Sequence, residues 1–352
     1  MPAMPYTRAS LVVFTLIVSC LTTGCPSALA DELPADTNQI ESLTPEAARK
    51  LAAEFPGVKA DVVVGGRAFQ LTRCLPLNGL KTLDAATAKA LVGYGKGPLL
   101  LNGLTTLDAA TAKAVAAFKG EGLFLNGLTT LDADTAMALA EFKVKVLHLS
   151  GLTTLNAATA KALAEFKGEE LWLTGLTKLD AATAKALAEF KGQWLDLDGL
   201  PTLDADTAKA LAEFKGDSLF LNGLTTLDAD TAKALAGSKA WDGQLPELTI
   251  LDAETAKALV AAQKWDGDLP KLTTLDSPDS IAIAQALATR EGRVALPNLK
   301  KISPKTLSAL IEKEDVEIPY IETLELISEP DGSATDDFVI PKWLEKQQNQ
   351  KR

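Results

Sequence analysis

The side chains best suited to catalysis are few and far apart in this sequence. His148 is the only histidine, and Cys74 is the only cysteine after the first 25 residues. If repeated strands stack about 4.8 Å apart, the three repeats between these residues separate them by about 14 Å, too far for a Cys-His nucleophile. The sequence also has no phosphate-binding glycine loop, no Ser-His-Asp set and no zinc-like Cys/His cluster. We therefore predict a protein that is not an enzyme and needs no cofactor or metal ion.

A second group of candidate chemical residues recurs with a period of 24. An Asp or Asn precedes an Ala- and Leu-rich segment each time, so its side chain can accept a hydrogen bond from an unpaired N–H of a helix's first turn. One carboxylate per repeat supplies too few oxygen ligands for calcium. We interpret the residues of this series as helix N-caps: Asp84, Asp108, Asp132, Asn156, Asp180, Asp204, Asp228, Asp252 and Asp276.

Each repeat reads as a strand, a turn and a helix. In Leu123-Phe124-Leu125 apolar residues fit a half-buried strand, and Asn126-Gly127 supplies turn chemistry. The helical segment is amphipathic: in a later unit, Ala184, Leu187 and Ala188 fall on one apolar face. A helix of about ten residues is marginal alone, so identical units must stack on one another.

The pattern Leu-x-Leu-x-Gly, followed by Leu-Thr-Thr-Leu-Asp-Ala and an Ala/Leu helix, resembles the leucine-rich repeats of bacterial exported proteins. The resemblance implies an α/β fold: a curved solenoid with a short-stranded parallel sheet on its concave side and helices on its convex side. The familiar repeat has an Asn ladder at the position that Leu128, Leu152 and Leu176 occupy here. We expect an apolar ladder to replace it.

The first 30 residues have the features of a signal peptide. Arg8 precedes an apolar run from Leu11 to Leu21, and Ala28-Leu29-Ala30 offers a small-x-small cleavage site. Export to the periplasm or outside the cell is the expectation, with a mature chain that starts at Asp31. Lipobox-like sequences at Cys20 and Cys25 leave open a membrane-anchored lipoprotein. No later apolar segment is long enough to be a transmembrane helix.

The rest of the chain divides by the repeat. We expect a linker at 31–42, a solenoid at 43–327 and a polar tail at 328–352. Within the solenoid, a degenerate first unit and an insertion that contains Asp61 to Arg73 run to about 75, regular units occupy 76–298, and capping units occupy 299–327.

Candidate binding residues lie where the repeats vary in kind. If the strand leucines point inward, the residues between them point outward and form a mostly aromatic stripe on the sheet face. The preceding strand position adds Trp194. The predicted binding residues are Leu100, Phe124, His148, Trp172, Trp194, Asp196 and Phe220. If the stripe is exposed, the His148 imidazole should titrate near pH 6.5, the value of an unperturbed ring. The alternative is that flanking segments cover the stripe and make it core.

The charge limits the class of partner. The formal net charge is -11, with a sequence pI near 4.8, whereas phosphate-backbone partners need concentrated Lys and Arg. We expect the partner to be a protein, peptide or glycan and not a nucleic acid. The near-identity of the units from 101 to 236 also fits a structural cell-envelope or assembly protein without a specific ligand.

Overall fold

The structure, a computed structural model, describes residues 34, 36–64 and 67–329. The chain divides into Met1–Leu33, which lies outside the described residues, and Pro34–Arg352, which all of the following concerns. The predicted signal peptide, including Cys20 and Cys25, and residues 330–352 of the predicted tail also lie outside the described residues.

Short helices repeat along the described chain, one in nearly every unit. Among the described residues, none is long and apolar enough to cross a membrane. The α-helices are α1 Pro45–Glu54, α2 Ala85–Leu91, α3 Ala109–Val115, α4 Ala133–Ala140, α5 Ala157–Ala164, α6 Ala181–Leu187, α7 Ala205–Ala212, α8 Ala229–Ala236, α9 Ala253–Val260, α10 Ser280–Ala288 and α11 Pro304–Leu310.

The strands are shorter still, apart from the first two. They are β1 Val58–Val64, β2 Arg67–Pro76, β3 Leu99–Leu100, β4 Gly122–Phe124, β5 Val146–His148, β6 Glu170–Trp172, β7 Trp194–Asp196, β8 Ser218–Phe220, β9 Thr274–Leu275, β10 Val294–Ala295, β11 Lys301–Ile302, β12 Val316–Glu317 and β13 Glu325–Leu326.

Strands β1 to β8 form one sheet in sequence order. The first pair is antiparallel, and every later pair is parallel with partners 24 residues apart, such as Leu123 with Leu147 and His148 with Trp172. Farther on, β9, β11 and β13 form a second parallel group, and β10 pairs with β12. Successive helices pack against each other in the same order. The predicted α/β fold, a leucine-rich-repeat-like solenoid of stacked strand-helix units, is confirmed.

The core of this solenoid consists of columns of identical side chains. Leu123 and Leu125 are buried on either side of Phe124, and Leu128 is fully buried after the turn. A column of buried phenylalanines closes the five consecutive units from Phe118 to Phe214, with Phe166 and Phe190 stacked at a centroid distance of 6.1 Å. Full burial of one such side chain contributes about 1.5–3 kcal/mol relative to exposure. Stacking therefore supplies the stability that one short helix lacks.

Leucine does replace Asn at the interior position, since Leu128, Leu152 and Leu176 are fully buried. An amide ladder exists elsewhere, on the residue that follows the strand. The Asn102 side-chain oxygen accepts the backbone N–H of Asn126 at 3.0 Å, and Asn126 repeats the contact with Ser150 at 3.0 Å. These hydrogen bonds tie consecutive units together from Asn78 to Ser150.

Among the described residues, each of the helices α2 to α9 begins with an Asp or Asn cap of the same geometry. In each, an Asp or Asn oxygen accepts the backbone N–H of the residue three positions later, as Asp180 does from Thr183 at 2.7 Å. This hydrogen bond is the main reason that the pKa of Asp180 is lowered. The capping residues are Asp84, Asp108, Asp132, Asn156, Asp180, Asp204, Asp228 and Asp252.

The assignment of Asp276 as a cap is wrong. Helix α10 begins at Ser280, with Asp279 in the N-cap position, and Asp276 is exposed. Pro278 disfavours a helical conformation at Ser277, which disfavours a helix that starts directly after Asp276. The Asp279 carboxylate instead accepts from the Ser277 hydroxyl at 2.6 Å and from the Ala253 N–H of α9 at 3.0 Å.

The folded array extends beyond both predicted boundaries. Asn38, in the predicted linker, accepts hydrogen bonds from the backbone and side chain of Asn78 and so begins the amide ladder. Glu329, in the predicted tail, is buried and accepts from the Ser303 hydroxyl and the Lys305 N–H at the start of α11. Residues at each end of the array thus make contacts of the kind that a neighbouring unit makes elsewhere.

Candidate functional site

The outer sheet face is the face of β2–β8 that carries the residues alternating with the buried strand leucines. Each three-residue strand contributes two of them, one before and one after its central leucine. The first column is Pro98, Gly122, Val146, Glu170, Trp194 and Ser218, and the second column is Leu100, Phe124, His148, Trp172, Asp196 and Phe220.

A β-hairpin covers the start of this face. It is formed by β1 and β2 and contains the predicted insertion; within β2, Arg73 has a positive φ beside a shift in the register of the pair. Its residues Ala60, Val62 and Leu71 pack against a cluster of Cys74, Leu100 and Phe124. Leu100 is 2% exposed and Phe124 is 3% exposed. The expectation that these two side chains lie on an open surface is therefore wrong.

The next side chains of the second column, one on each strand, bury one another by stacking. The Phe124 and His148 rings lie 4.0 Å apart at 15°, and the His148 and Trp172 rings lie 4.8 Å apart at 30°. These distances match the spacing of the strands that carry them. His148 and Trp172 are only 4% and 2% exposed, so the expectation of exposure is wrong for them as well.

The far end of the predicted stripe is mixed in exposure. Asp196 is buried, and its carboxylate accepts the backbone N–H of Asp198 at 3.0 Å. Trp194 is 36% exposed and meets the half-buried Phe220 edge to face, with centroids 6.1 Å apart. Of the predicted binding residues, Trp194 is thus the large side chain that remains accessible. The expectation that Asp196 is exposed is wrong.

Burial also changes the chemistry of His148. It lowers the pKa of the imidazole to about 3, because the low-dielectric surroundings disfavour the charged form. Its Nδ1 atom is buried and has no hydrogen-bond partner among the described residues. The expected titration near pH 6.5 is wrong, and the ring is neutral throughout the physiological range.

A cavity of about 360 Å³ opens on the outer sheet face between the hairpin and Trp194. The second column supplies one wall. The side chains of Gly122 and Val146 in the first column are small, so the space above them is unfilled. Most of the lining is apolar. The lining residues are Leu71, Pro98, Glu121, Gly122, Phe124, Val146, His148, Glu170, Trp172 and Trp194.

Glu170 is the polar anchor of the cavity wall. One of its oxygens accepts the indole N–H of Trp172 at 2.9 Å. Burial in this apolar wall raises the pKa of Glu170, an effect that the hydrogen bond from Trp172 partly offsets. Glu121 lies exposed on the lining, while the neighbouring Glu169 pairs with Lys145 at 3.7 Å. Among the described lining residues there is no Lys or Arg.

The remaining candidate nucleophile lies under the hairpin. Cys74 is fully buried, donates its thiol hydrogen to the Val58 carbonyl at 3.0 Å, and has a pKa raised by burial. Within residues 34, 36–64 and 67–329 there is no group of three His, Cys, Asp or Glu side chains placed to hold a metal ion. The arrangement on the outer sheet face can enclose an apolar group beside a carboxylate.

Sequence reasoning singled out the second column and missed most of the cavity. Glu170 and Val146 stand in the first column at the same 24-residue spacing, so their variation was a usable signal. No repeat pattern indicated Leu71, because it belongs to the insertion and lines the cavity only through the packing of the hairpin.

Solved structures that resemble the chain do so only distantly. No family model and no curated protein matches the chain. The chain of a TLR13–ssRNA13 complex aligns with 17% identity and a TM-score of 0.38 over 72% of this chain and 38% of that one. A chain of the Toll–Spatzle complex from Drosophila aligns with 13% identity and a TM-score of 0.33 over 70% and 42%. The protein thus spans about two fifths of the length of either chain, and its fold assignment rests on its own strands, helices and register.

Proposed function

We propose that this protein is a non-catalytic, exported repeat protein that binds a partner across the outer sheet face. The observation that carries the proposal is the apolar cavity between the hairpin and Trp194. Its volume lies within the range of ligand pockets, about 300–1,000 Å³. Trp194 stands at this cavity with an accessible indole, the kind of side chain that dominates binding energy in interfaces.

The chemistry of the lining supports a protein, peptide or glycan as the partner. Apolar walls with a few polar groups suit an aromatic or aliphatic side chain or the apolar face of a sugar. A nucleic acid would meet Glu170 and Glu121 and no basic side chain among the described lining residues. The formal net charge of -11 points the same way.

The proposal is tested with two cavity variants and one matched control. Trp194→Ala removes the accessible indole, and Gly122→Leu fills the cavity. A Cβ at Gly122 meets its nearest neighbour, a Phe124 ring carbon, at 3.4 Å and is therefore accommodated. Ile250→Ala truncates another exposed apolar side chain, 65% accessible and outside the cavity lining. Partners are captured from the native envelope fraction, and the affinity of each for the four proteins is then measured.

We expect both cavity variants to lose about 30-fold in affinity, the effect of removing a hot-spot contact of about 2 kcal/mol, and the control to lose nothing. Melting temperatures of all four proteins show whether each variant is folded. If every captured partner binds the cavity variants as tightly as the wild type, the sheet-face proposal fails. Absence of any saturable partner would favour the structural cell-envelope alternative.

Export is a separate part of the proposal and has a separate test. N-terminal sequencing of natively produced protein should give Asp31 as the first residue. A mature chain that starts at an acylated Cys20 or Cys25 would refute simple secretion and indicate a membrane-anchored lipoprotein.

A further inference from the structure

We infer that the sheet-face cavity takes an apolar group that carries an ammonium ion, with the apolar body inside and the cation on Glu170. This inference rests on the proposed function, because it names the chemical class that the same cavity binds. It follows from the charges of the lining, from the way Glu170 is held, and from the shape left by the first column.

The charges of the lining have one sign. Glu170 stands half-buried in the wall and Glu121 stands exposed nearby, while the described lining residues contain no Lys or Arg. His148 adds no positive charge, since its buried imidazole stays neutral. Lys145 pairs with Glu169 at 3.7 Å outside the lining, and its charge partly offsets the raised pKa of Glu170 without placing a cation in the wall. An anionic ligand would therefore face two carboxylates and no basic side chain among the described lining residues, whereas a cation would meet the carboxylate of Glu170.

Glu170 is held in place for such a contact. The indole N–H of Trp172 fixes one carboxylate oxygen at 2.9 Å, and Trp172 is itself held by its stack on His148. A carboxylate has about four acceptor positions, so this bond leaves capacity for the donors of an ammonium group. A carboxylate in an apolar wall is costly without a partner, and a bound cation removes that cost.

The first column shapes the space for the apolar body. Gly122 presents no side chain and Val146 a short one, whereas Leu71 of the hairpin and Trp194 rise on either side. The open cavity, with a volume of about 360 Å³, accommodates a phenylalkyl group or a lysine stem together with a neighbouring apolar side chain. The ligand chemistry is therefore amphipathic, with one positive charge at one end of an apolar body.

The test uses three probes that share a body and differ in charge: 3-phenylpropylammonium, 3-phenylpropan-1-ol and 3-phenylpropanoate. His148 is the only histidine of the chain and lines the cavity, so the ¹³C–¹H signals of its ring report binding without further assignment in tag-free, ¹³C-histidine-labelled, full-length protein. We expect the ammonium probe to shift these signals saturably, with a Kd at least tenfold below that of the alcohol. The carboxylate probe should cause no shift.

Glu170→Gln and Glu165→Gln form a matched pair. Both remove one acidic charge, but Glu170 lines the cavity, whereas Glu165 is exposed just after α5 and lies outside the lining. Glu170→Gln should weaken ammonium binding at least tenfold and leave alcohol binding unchanged, whereas Glu165→Gln should leave both unchanged. A ratio of ammonium to alcohol affinity that stays the same in both variants would overturn the assignment of Glu170 as the cation's partner.

Loss of the charge preference and loss of the binding site give different results in this experiment. Equal binding of ammonium and alcohol, both blocked by Gly122→Leu, would overturn the charge preference and leave the cavity as a binding site. Absence of any shift with all three probes would refute the cavity as a binding site. A final arm compares acetyl-Phe-Lys-amide with acetyl-Phe-norleucine-amide. Preference for the lysine peptide over both its isostere and the free amine identifies a protein side chain as the source of the cation, and preference for the free amine identifies a small molecule.

Discussion

His148 provides the sharpest test of the structure, because burial of its imidazole must appear as a pH dependence of stability. Its folded pKa is about 3, against about 6.5 in an unfolded chain. The unfolded state therefore binds more protons between these values, and stability rises with pH. The contribution is fully present above pH 6.5 and is lost progressively as the pH falls toward 3. From pH 7 to pH 5 the free energy of unfolding should fall by about 2 kcal/mol through this residue alone.

Other groups make a reference variant necessary. The pKa values of Glu170 and Asp266 are raised by burial, so these carboxyl groups add stability as the pH falls and oppose the effect of His148. His148→Phe keeps a ring between Phe124 and Trp172 and removes the titration. The quantity to measure is the difference in unfolding free energy between wild type and variant, obtained by urea denaturation at pH 7, 6 and 5. Carboxyl contributions common to both proteins cancel in this difference.

The wild type should lose about 2 kcal/mol more than His148→Phe between pH 7 and pH 5. Ring signals of His148 in NMR spectra should show no titration between pH 5 and pH 8. A midpoint near 6.5, together with a wild-type-minus-variant difference that stays constant within about 0.5 kcal/mol, would refute the buried stack.

Three further predictions concern capping, the turns and the thiol. Asp180→Ala should cost about 1 kcal/mol in urea denaturation through loss of the cap, and Leu187→Ala about 2–5 kcal/mol through a core cavity; equal losses would contradict this division. Gly151→Ala places a Cβ 2.1 Å from the Asn126 carbonyl oxygen and should lower Tm by several degrees, whereas Gly95→Ala, with no atom within 4 Å, should leave Tm unchanged. Native Cys74 should resist iodoacetamide until urea unfolds the protein, since it is buried with a raised pKa; rapid native alkylation would place it outside the hairpin cluster.

The features that the sequence predicted well are those set by local chemistry and repeated many times. An Asp or Asn before the helix, such as Asn156, caps its own first turn, so a 24-residue phase is enough to locate the helices. The interior leucine ladder follows from the same phase, because Leu128 and its equivalents can only face their neighbours in a stack. Stacking then determines the parallel register, and the fold class follows from it.

The errors arose where a local pattern met a non-local or irregular contact. Asp276 continues the phase of the caps, but Pro278 moves the helix start to Ser280. Leu100 alternates correctly as an outward residue, yet the hairpin folds over it. No periodic signal describes where an insertion will pack, since its contacts join residues that lie outside the repeat. A strand of three residues also gives too short an alternation to establish which of its outward positions remains accessible.

The two columns of the outer sheet face have consequently separated in role. On three adjacent strands the second column carries rings, Phe124, His148 and Trp172, and side chains of that size on strands about 4.8 Å apart fill the space between them by stacking on each other. Stacking rigidifies the column but consumes its accessible surface. The first column passes from Gly122 and Val146 to Glu170 and Trp194, so it changes from small to large across four adjacent strands. That gradient, closed at its small end by Leu71, creates a cavity that no single repeat contains. Variation in the first column is therefore what converts a uniform solenoid into a surface with one distinct site, and exchanging Gly122 and Trp194 between their rungs should abolish the cavity while preserving the composition of the face.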